Sequence, residues 1–419
     1  WTMSNSKEML EALSKGDLIE AQVAFEKAQK EDLPEERFQL ADNLFQLGFI
    51  EEAETLYVRL FEEFPQDETL KISLAEIAIE NDELDKAFEY LESIEETSDL
   101  YPQSLITQAD IYQVLNIPEV SESKLLQAKT YLPNEPLLDL SLAELYFANE
   151  DYTRAIESFT ALKDAFSQQE SPINLDERIG VAYSRIGNFE EAVVALEKAI
   201  EEEETVERLF QLALTYYQLE QNERGIELLN QVRLMDSDFN QVYYPLAQIL
   251  YDEGRHEEAL EVIEEGIALN PYETALYHLA SETAYQLGSK DQAKEYLEEV
   301  ISLELDADLS KIRLSELLLK EEDYEEVLTL MNSLETEEQP LAGWMIAQAY
   351  NGLEAFDQAN EAYDKVKDVL IEEPDFMKDY GLFLREEGRR EEANTWLTRY
   401  LASVPGDLEV ASLIDNEGW

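Results

Sequence analysis

QLADNLFQLGFIEEAETLYVRLFEEFP, residues 39–65, contains the pattern from which the fold is read. A small residue, Ala41, is followed three positions on by Leu44, then by a break at Gly48, and twelve positions on by Ala53; Pro65 closes the stretch. The same frame returns in SLAELYFANEDYTRAIESF, residues 141–159, and in RIGVAYSRIGNFEEAVVALEKAI, residues 178–200. Self-similarity at a fixed period is the signature of stacked repeats, in which each unit buries its apolar face against the next.

With the small residue set as position 8 of a 34-residue unit, it falls at Met9, Ala41, Ala75, Ala109, Ala143, Gly180, Ala213, Ala247, Ser281, Ser315, Ala347 and Gly381. Successive spacings are 32, 34, 34, 34, 37, 33, 34, 34, 34, 32 and 34. Position 20 is alanine in nine of the twelve units, beyond what chance would place there. Two antiparallel helices approach closely only over small side chains, so positions 8 and 20 are expected to face each other, with positions 4, 7, 8 and 11 forming the packing stripe. Position 15 is Gly16, Gly48, Gly187, Gly254, Gly288 or Gly388, with Asp82 and Asn116 as substitutes, which fits a left-handed end to the first helix. Pro65, Pro133, Pro271 and Pro405 at position 32 stop the second helix.

This pattern resembles the tetratricopeptide repeat and covers almost the whole chain. YPQSLITQADIYQ and PLLDLSLAELYF further resemble the all-repeat tetratricopeptide proteins of Gram-positive bacteria, the YpiA type. The resemblance implies an all-α solenoid, a right-handed superhelix of about twelve helix pairs with a C-terminal capping helix, and brings no biochemical activity with it. The expected organisation is an N-terminal arm over 1–172, a C-terminal arm over 173–407 and a cap over 408–419, forming one continuous superhelix. The three-residue excess before Gly180 falls in KDAFSQQESPIN, residues 163–174, a candidate hinge.

Composition narrows the function. There is no cysteine, which removes disulfides, thiolate catalysis and thiolate metal sites, and His256 and His278 are too few for a multi-histidine site. No phosphate-loop, dinucleotide, zinc-protease or nucleophile-elbow motif occurs. Asp236, Asp238 and Asn240 imitate the start of a calcium loop, which fails at Gln241 and Ala247. No catalytic, cofactor-binding or metal-binding residue is therefore expected. The net charge of −64, from 31 Lys+Arg against 95 Asp+Glu, opposes nucleic acid and anionic membrane and favours basic partners, or serves solubility alone. With no run of apolar residues long enough to span a membrane and no signal-like start, the sequence reads as a cytoplasmic protein, with a monomer favoured.

Positions 2, 5, 9 and 12 of each first helix share one stripe, opposite the packing stripe. In the resembled family, that stripe holds peptides and partner helices. Position 9 supplies Asp42, Glu76, Asp110 and Glu144 in four consecutive units, an acidic ladder suited to Lys or Arg; Glu282 adds a further carboxylate. The later units present an aromatic stripe: Phe210, Tyr217, Tyr244, Tyr251, His278, Tyr285 and Trp344. Exposed aromatics offer large contact area at low entropy cost. Lys378 and Arg385, near Arg389 and Arg390, suggest a basic mouth at the far end. The two-carboxylate-clamp pattern of chaperone-binding relatives is not reproduced. The expected function is a scaffold or adaptor binding a basic, amphipathic protein segment; a peptide-signal receptor, or an assembly factor of an envelope or respiratory enzyme complex, are the alternatives.

Overall fold

A computed structural model describes residues 4–166, 171–334 and 339–415. Among them are 25 α-helices and no strand. The chain divides into two compact units, Trp1–Glu204 and Thr205–Trp419.

The first unit holds α1 (Asn5–Ser14), α2 (Leu18–Glu31), α3 (Pro34–Gln46), α4 (Ile50–Glu63), α5 (Glu68–Glu80), α6 (Leu84–Glu92), α7 (Tyr101–Val114), α8 (Pro118–Tyr131), α9 (Pro136–Ala148), α10 (Tyr152–Ala165), α11 (Leu175–Arg185) and α12 (Phe189–Glu202). The second holds α13 (Val206–Gln218), α14 (Asn222–Met235), α15 (Tyr243–Asp252), α16 (His256–Leu269), α17 (Thr274–Gln286), α18 (Lys290–Ser302), α19 (Ala307–Lys320), α20 (Tyr324–Asn332), α21 (Pro340–Gly352), α22 (Phe356–Val366), α23 (Pro374–Glu386), α24 (Arg390–Ser403) and α25 (Leu408–Asp415). Odd-numbered helices up to α23 are the first members of twelve pairs. Within each unit a first helix packs on its own second helix, and second helices pack on the first helix that follows. This is an α-solenoid.

The small residues do what their spacing predicts. Ala41, Ala75, Ala109 and Ala143 of the first helices and Ala53, Ala87, Ser121 and Ala155 of the second are fully buried. Where position 8 is glycine, the fit is closer still. A Cβ on Gly180 would stand 2.7 Å from Leu196 Cγ, and one on Gly381 2.6 Å from Leu397 Cδ2.

All twelve first helices end the same way. The residue at position 15 is left-handed in every unit: six glycines, and also Asp82, Asn116, Glu150, Glu220, Glu322 and Glu354 at φ of 57–61°. The next N–H closes a six-residue turn onto the helix, from Asp17 to Ala12 O at 3.0 Å through Arg389 to Leu384 O at 2.9 Å. That Schellman closure satisfies end carbonyls and turns the chain back sharply enough for the pair to form.

The candidate hinge lies between α10 and α11, which pack on one another; Lys163 Nζ bridges to both Asp176 oxygens at 2.6 and 2.7 Å. Residues 167–170 lie outside those described. At the other end α25 covers the last pair, burying Val410 against Met377, Leu397 and Tyr400. Lys378 Nζ meets Asp407 at 2.8 Å, and Arg385 Nη1 donates to Leu413 O at 2.9 Å. The expected basic mouth is corrected accordingly: Lys378 and Arg385 fasten the cap, because an end repeat must offer its last helix something to hold. Lys378, then the Val410 N–H and the Tyr400 hydroxyl, hold the Asp407 carboxyl down at about 2.

Candidate partner-binding surface

In the first unit, the ninth position of the frame places Asp42 on α3, Glu76 on α5, Asp110 on α7 and Glu144 on α9. These carboxylates feel each other. Burial, then the charges of Asp42 and Asp110, pushes the Glu76 carboxyl up. Asp110 reaches solvent on its outer side, yet enough protein surrounds it that loss of water raises its carboxyl to about 6. Among the described residues, neither has an ion-pair or side-chain hydrogen-bond partner. Asp42 differs in accepting a hydrogen bond from the Tyr57 hydroxyl of α4, which raises the phenol's pKa further after burial has done so. Glu144 differs more. Arg178 of α11 binds it, Nε to Oε1 at 2.9 Å, and lies over the Phe147 ring at 5.2 Å. One rung of the expected ladder is thus neutralised from within the chain.

In the second unit, the exposure expected of the aromatic stripe is corrected. Phe210 and His278 are only 7% and 8% exposed. Phe210 packs edge-on against Phe239 at 5.3 Å, and His278 Nε2 lies 2.8 Å from Ser310 Oγ of the next first helix. At these two repeats position 5 is covered, by Phe239 of the loop before α15 and by α19. Burial, and then the Arg313 charge, lowers the His278 pKa and keeps the ring neutral near pH 7. Tyr244 is the member of the stripe left open to solvent, at 40%. Tyr217, Tyr251, Tyr285 and Trp344 are half-buried. The Tyr217 hydroxyl donates to Asp252 Oδ2 at 2.7 Å, and the Trp344 indole N–H to the deeply set Asp379 at 2.6 Å.

Tyr251, His278, Glu282 and Tyr285 do come together. With Arg313, Glu316 and Lys320 they line a cleft of about 210 Å³ across α15, α17 and α19. Arg313 Nη1 holds Glu282 at 2.5 Å, and Lys320 Nζ stands 5.1 Å from the Tyr285 ring centroid. Glu316 has no ion-pair partner; burial raises its carboxyl despite Arg313 and Lys320 nearby. The sequence reading did not single out Arg178, Arg313, Tyr57 or Lys320. Comparing the sixth position of each unit with the ninth of the one before would have found both arginines.

Family models for YpiA-like C-terminal tetratricopeptide repeats and for YpiA-like tetratricopeptide repeats match residues 340–407 and 113–165, and a general tetratricopeptide repeat model matches residues 274–306. The TPR repeat-containing protein YpiA of Bacillus subtilis (strain 168) is 32% identical over 397 residues, covering 94% of this chain and 94% of that protein. The chain belongs to the YpiA family of tetratricopeptide repeat proteins. Among solved structures, the anaphase-promoting-complex assembly Cut9-Hcn1 is 14% identical with a TM-score of 0.41, over 98% of this chain and 95% of that one. YrrB, described as a TPR protein with an unusual peptide-binding site, is 18% identical with a TM-score of 0.36, over 42% and 91%. Among the described residues of this YpiA-family chain, no helix is long and apolar enough to cross a membrane, and no group of acidic or histidine side chains could hold a metal ion.

Proposed function

We propose that this YpiA-family protein is a non-enzymatic scaffold that holds an extended or amphipathic protein segment, basic and apolar in character, on its first-helix face. Tetratricopeptide repeat proteins commonly mediate protein–protein interactions, and the coarse reading follows from that. The observation that carries the finer one is the run Asp42, Glu76 and Asp110: three successive first helices, three carboxylates, no cation paired with any of them. Glu76, half-buried, has lost water without gaining a counter-charge, and the Asp110 carboxyl is raised too although it keeps contact with solvent. A cationic partner supplies that charge, so the cost is recovered on binding. Complementary charge chiefly sets orientation and association rate, while apolar contacts supply area.

The test is affinity capture from the native cell with the full chain and with Asp42→Lys, Glu76→Lys and Asp110→Lys combined. Loss of specific captured proteins by the variant supports the scaffold reading. Glu144→Gln, at a rung Arg178 already neutralises, serves as the control with little loss expected. An unchanged captured set with the triple variant would sink the assignment of this face.

A further inference from the structure

Acidic residues are abundant here and none is informative by being acidic. What is informative is a repeated two-part arrangement. Six repeats carry a carboxylate at position 9: Asp42, Glu76, Asp110, Glu144, Glu282 and Glu316. In two of them, position 6 of the following repeat is an arginine, Arg178 or Arg313. Both guanidinium groups reach back to the preceding carboxylate, at 2.9 and 2.5 Å. Arg178 also stacks over the ring at position 12 of the repeat it reaches. The chain therefore displays, twice and in its two separate units, how a guanidinium sits against a position-9 carboxylate.

In the other four repeats, position 6 of the next unit is Ser73, Thr107, Ser141 or Met345. None of these supplies a charge. The three hydroxyls are turned back onto their own helices, 3.3 Å to Thr69 O, 3.1 Å to Gln103 O and 3.1 Å to Leu137 O. Asp42, Glu76 and Asp110 are thus three consecutive copies of a seat at which the next repeat offers a short side chain where Arg178 and Arg313 stand elsewhere.

Resting on the scaffold reading above, we propose that Asp42, Glu76 and Asp110 are seats for arginine side chains of one extended partner segment, one arginine per repeat. Guanidinium is favoured over ammonium because its planar fork pairs with carboxylate and stacks on neighbouring groups, as Arg178 does between Glu144 and Phe147. Spacing follows from the stacking. Of the helices that carry the seats, α5 packs directly on α7, and helices in direct contact stand about 8–10 Å apart. A segment in the polyproline II conformation advances about 3.1 Å per residue with three residues per turn, so the matching segment carries arginine at roughly every third position, all on one side.

The probe is a fluorescein-labelled peptide with three arginines, each separated by two serines, titrated by anisotropy at low ionic strength with the full chain. Two peptides serve as comparisons: the lysine counterpart, and one of equal composition with the three arginines adjacent. The spaced arginine peptide is expected to bind about tenfold more tightly than either, equivalent to about 1.4 kcal/mol. Combining Glu76→Gln with Asp110→Asn, near-isosteric changes that keep helical circular dichroism intact, should weaken it about tenfold or more. Arg178→Ser uncovers Glu144 and should tighten a four-arginine peptide of the same spacing severalfold over wild type. Glu261→Gln, an exposed carboxylate on α16 in the other unit, should leave binding unchanged. Equal affinity for the three peptides, undiminished binding by the neutralised pair, or no response to Arg178→Ser would each overturn the proposal. If native partners are lost on charge reversal while the peptides are not distinguished, the seats fall and the scaffold stands; if neither responds, both fall.

Discussion

Replacing glutamate by glycine at position 15 of the repeat should stabilise this protein, although glycine ordinarily weakens helical structure. Glu220, Glu322 and Glu354 in the second unit adopt φ of 59°, 61° and 58°, where Gly254, Gly288 and Gly388 stand in sister repeats. A non-glycine residue held there costs about 1–2 kcal/mol. Glycine's greater freedom in the unfolded chain takes back about 0.4–1 kcal/mol. A net gain of about 0.5 kcal/mol per site is left, since an added Cβ at the equivalent glycines meets nothing within 4 Å and packing does not enter. Three sites together give about 1.5 kcal/mol, or a rise of about 3–6 °C for a unit of this size. The change also removes three negative charges from a chain of net charge −64, so charge relief must be separated from backbone relief. Three substitutions to glutamine remove the same charges and leave the backbone as it was. The assay is thermal unfolding followed by circular dichroism for both triple variants. A glycine variant no more stable than the glutamine variant would refute the backbone argument, and Gly254→Gln, expected to lose about 0.5 kcal/mol, tests it in the opposite direction.

Two further outcomes follow from packing and from charge. Gly180→Ala should destabilise by about 1–3 kcal/mol, because its Cβ would meet Leu196 side-chain atoms at 2.7 and 2.9 Å and the Leu196 backbone nitrogen at 3.1 Å. Gly225→Ala, whose nearest neighbours would be Ala213 O at 3.2 Å and Ile249 Cδ1 at 3.6 Å, should be close to neutral, since helix propensity gains about 1 kcal/mol; urea unfolding of the two distinguishes them. Asp110 contributes one component of the pH dependence. Its folded carboxyl titrates near 6, above its ordinary 3.8, so the folded chain holds this proton more tightly than the unfolded chain. The resulting penalty is therefore full above about pH 6 and is relieved as pH falls towards 3.8, the reverse of a salt-bridged aspartate. Binding of the arginine peptide should weaken as pH drops below about 6, with Asp110→Asn removing that component; affinity flat down to pH 5 would contradict the assignment.

The fold was legible because each constraint that builds it falls on one position. Alanine at positions 8 and 20 is demanded by helix contact alone, and a reader of the sequence needs no partner residue to recognise it. The left-handed closure was legible where glycine marked it and invisible at Glu150, Glu220, Glu322 and Glu354, where tertiary packing overrides the residue's own preference. The surface was harder because it depends on pairs. Phe210 and His278 fall on the outward stripe by spacing, yet Phe239 of the loop before α15 and Ser310 of α19 lie against them, and single-helix periodicity cannot register a neighbour. Glu144 reads like Asp42, Glu76 and Asp110 until Arg178, thirty-four residues on, is placed beside it.

The same dependence on pairs governs what the charge means. With 31 cations against 95 carboxylates, ion pairing cannot satisfy this surface, and tyrosine supplies donors instead. Tyr146 donates to Glu122 at 2.9 Å, Tyr296 to Glu264 at 2.9 Å, Tyr363 to Asp379 at 2.7 Å and Tyr131 to Glu96 at 2.7 Å. A phenol hydroxyl stabilises a carboxylate without cancelling its charge, so these contacts order the surface and leave its field in place. Asp42 belongs to that group through Tyr57, whereas Glu76 and Asp110 have neither cation nor phenol. The two rungs that no described residue satisfies are for that reason the ones where a partner's guanidinium gains most, and Asp42, already holding one hydrogen bond, should contribute least when each is neutralised alone.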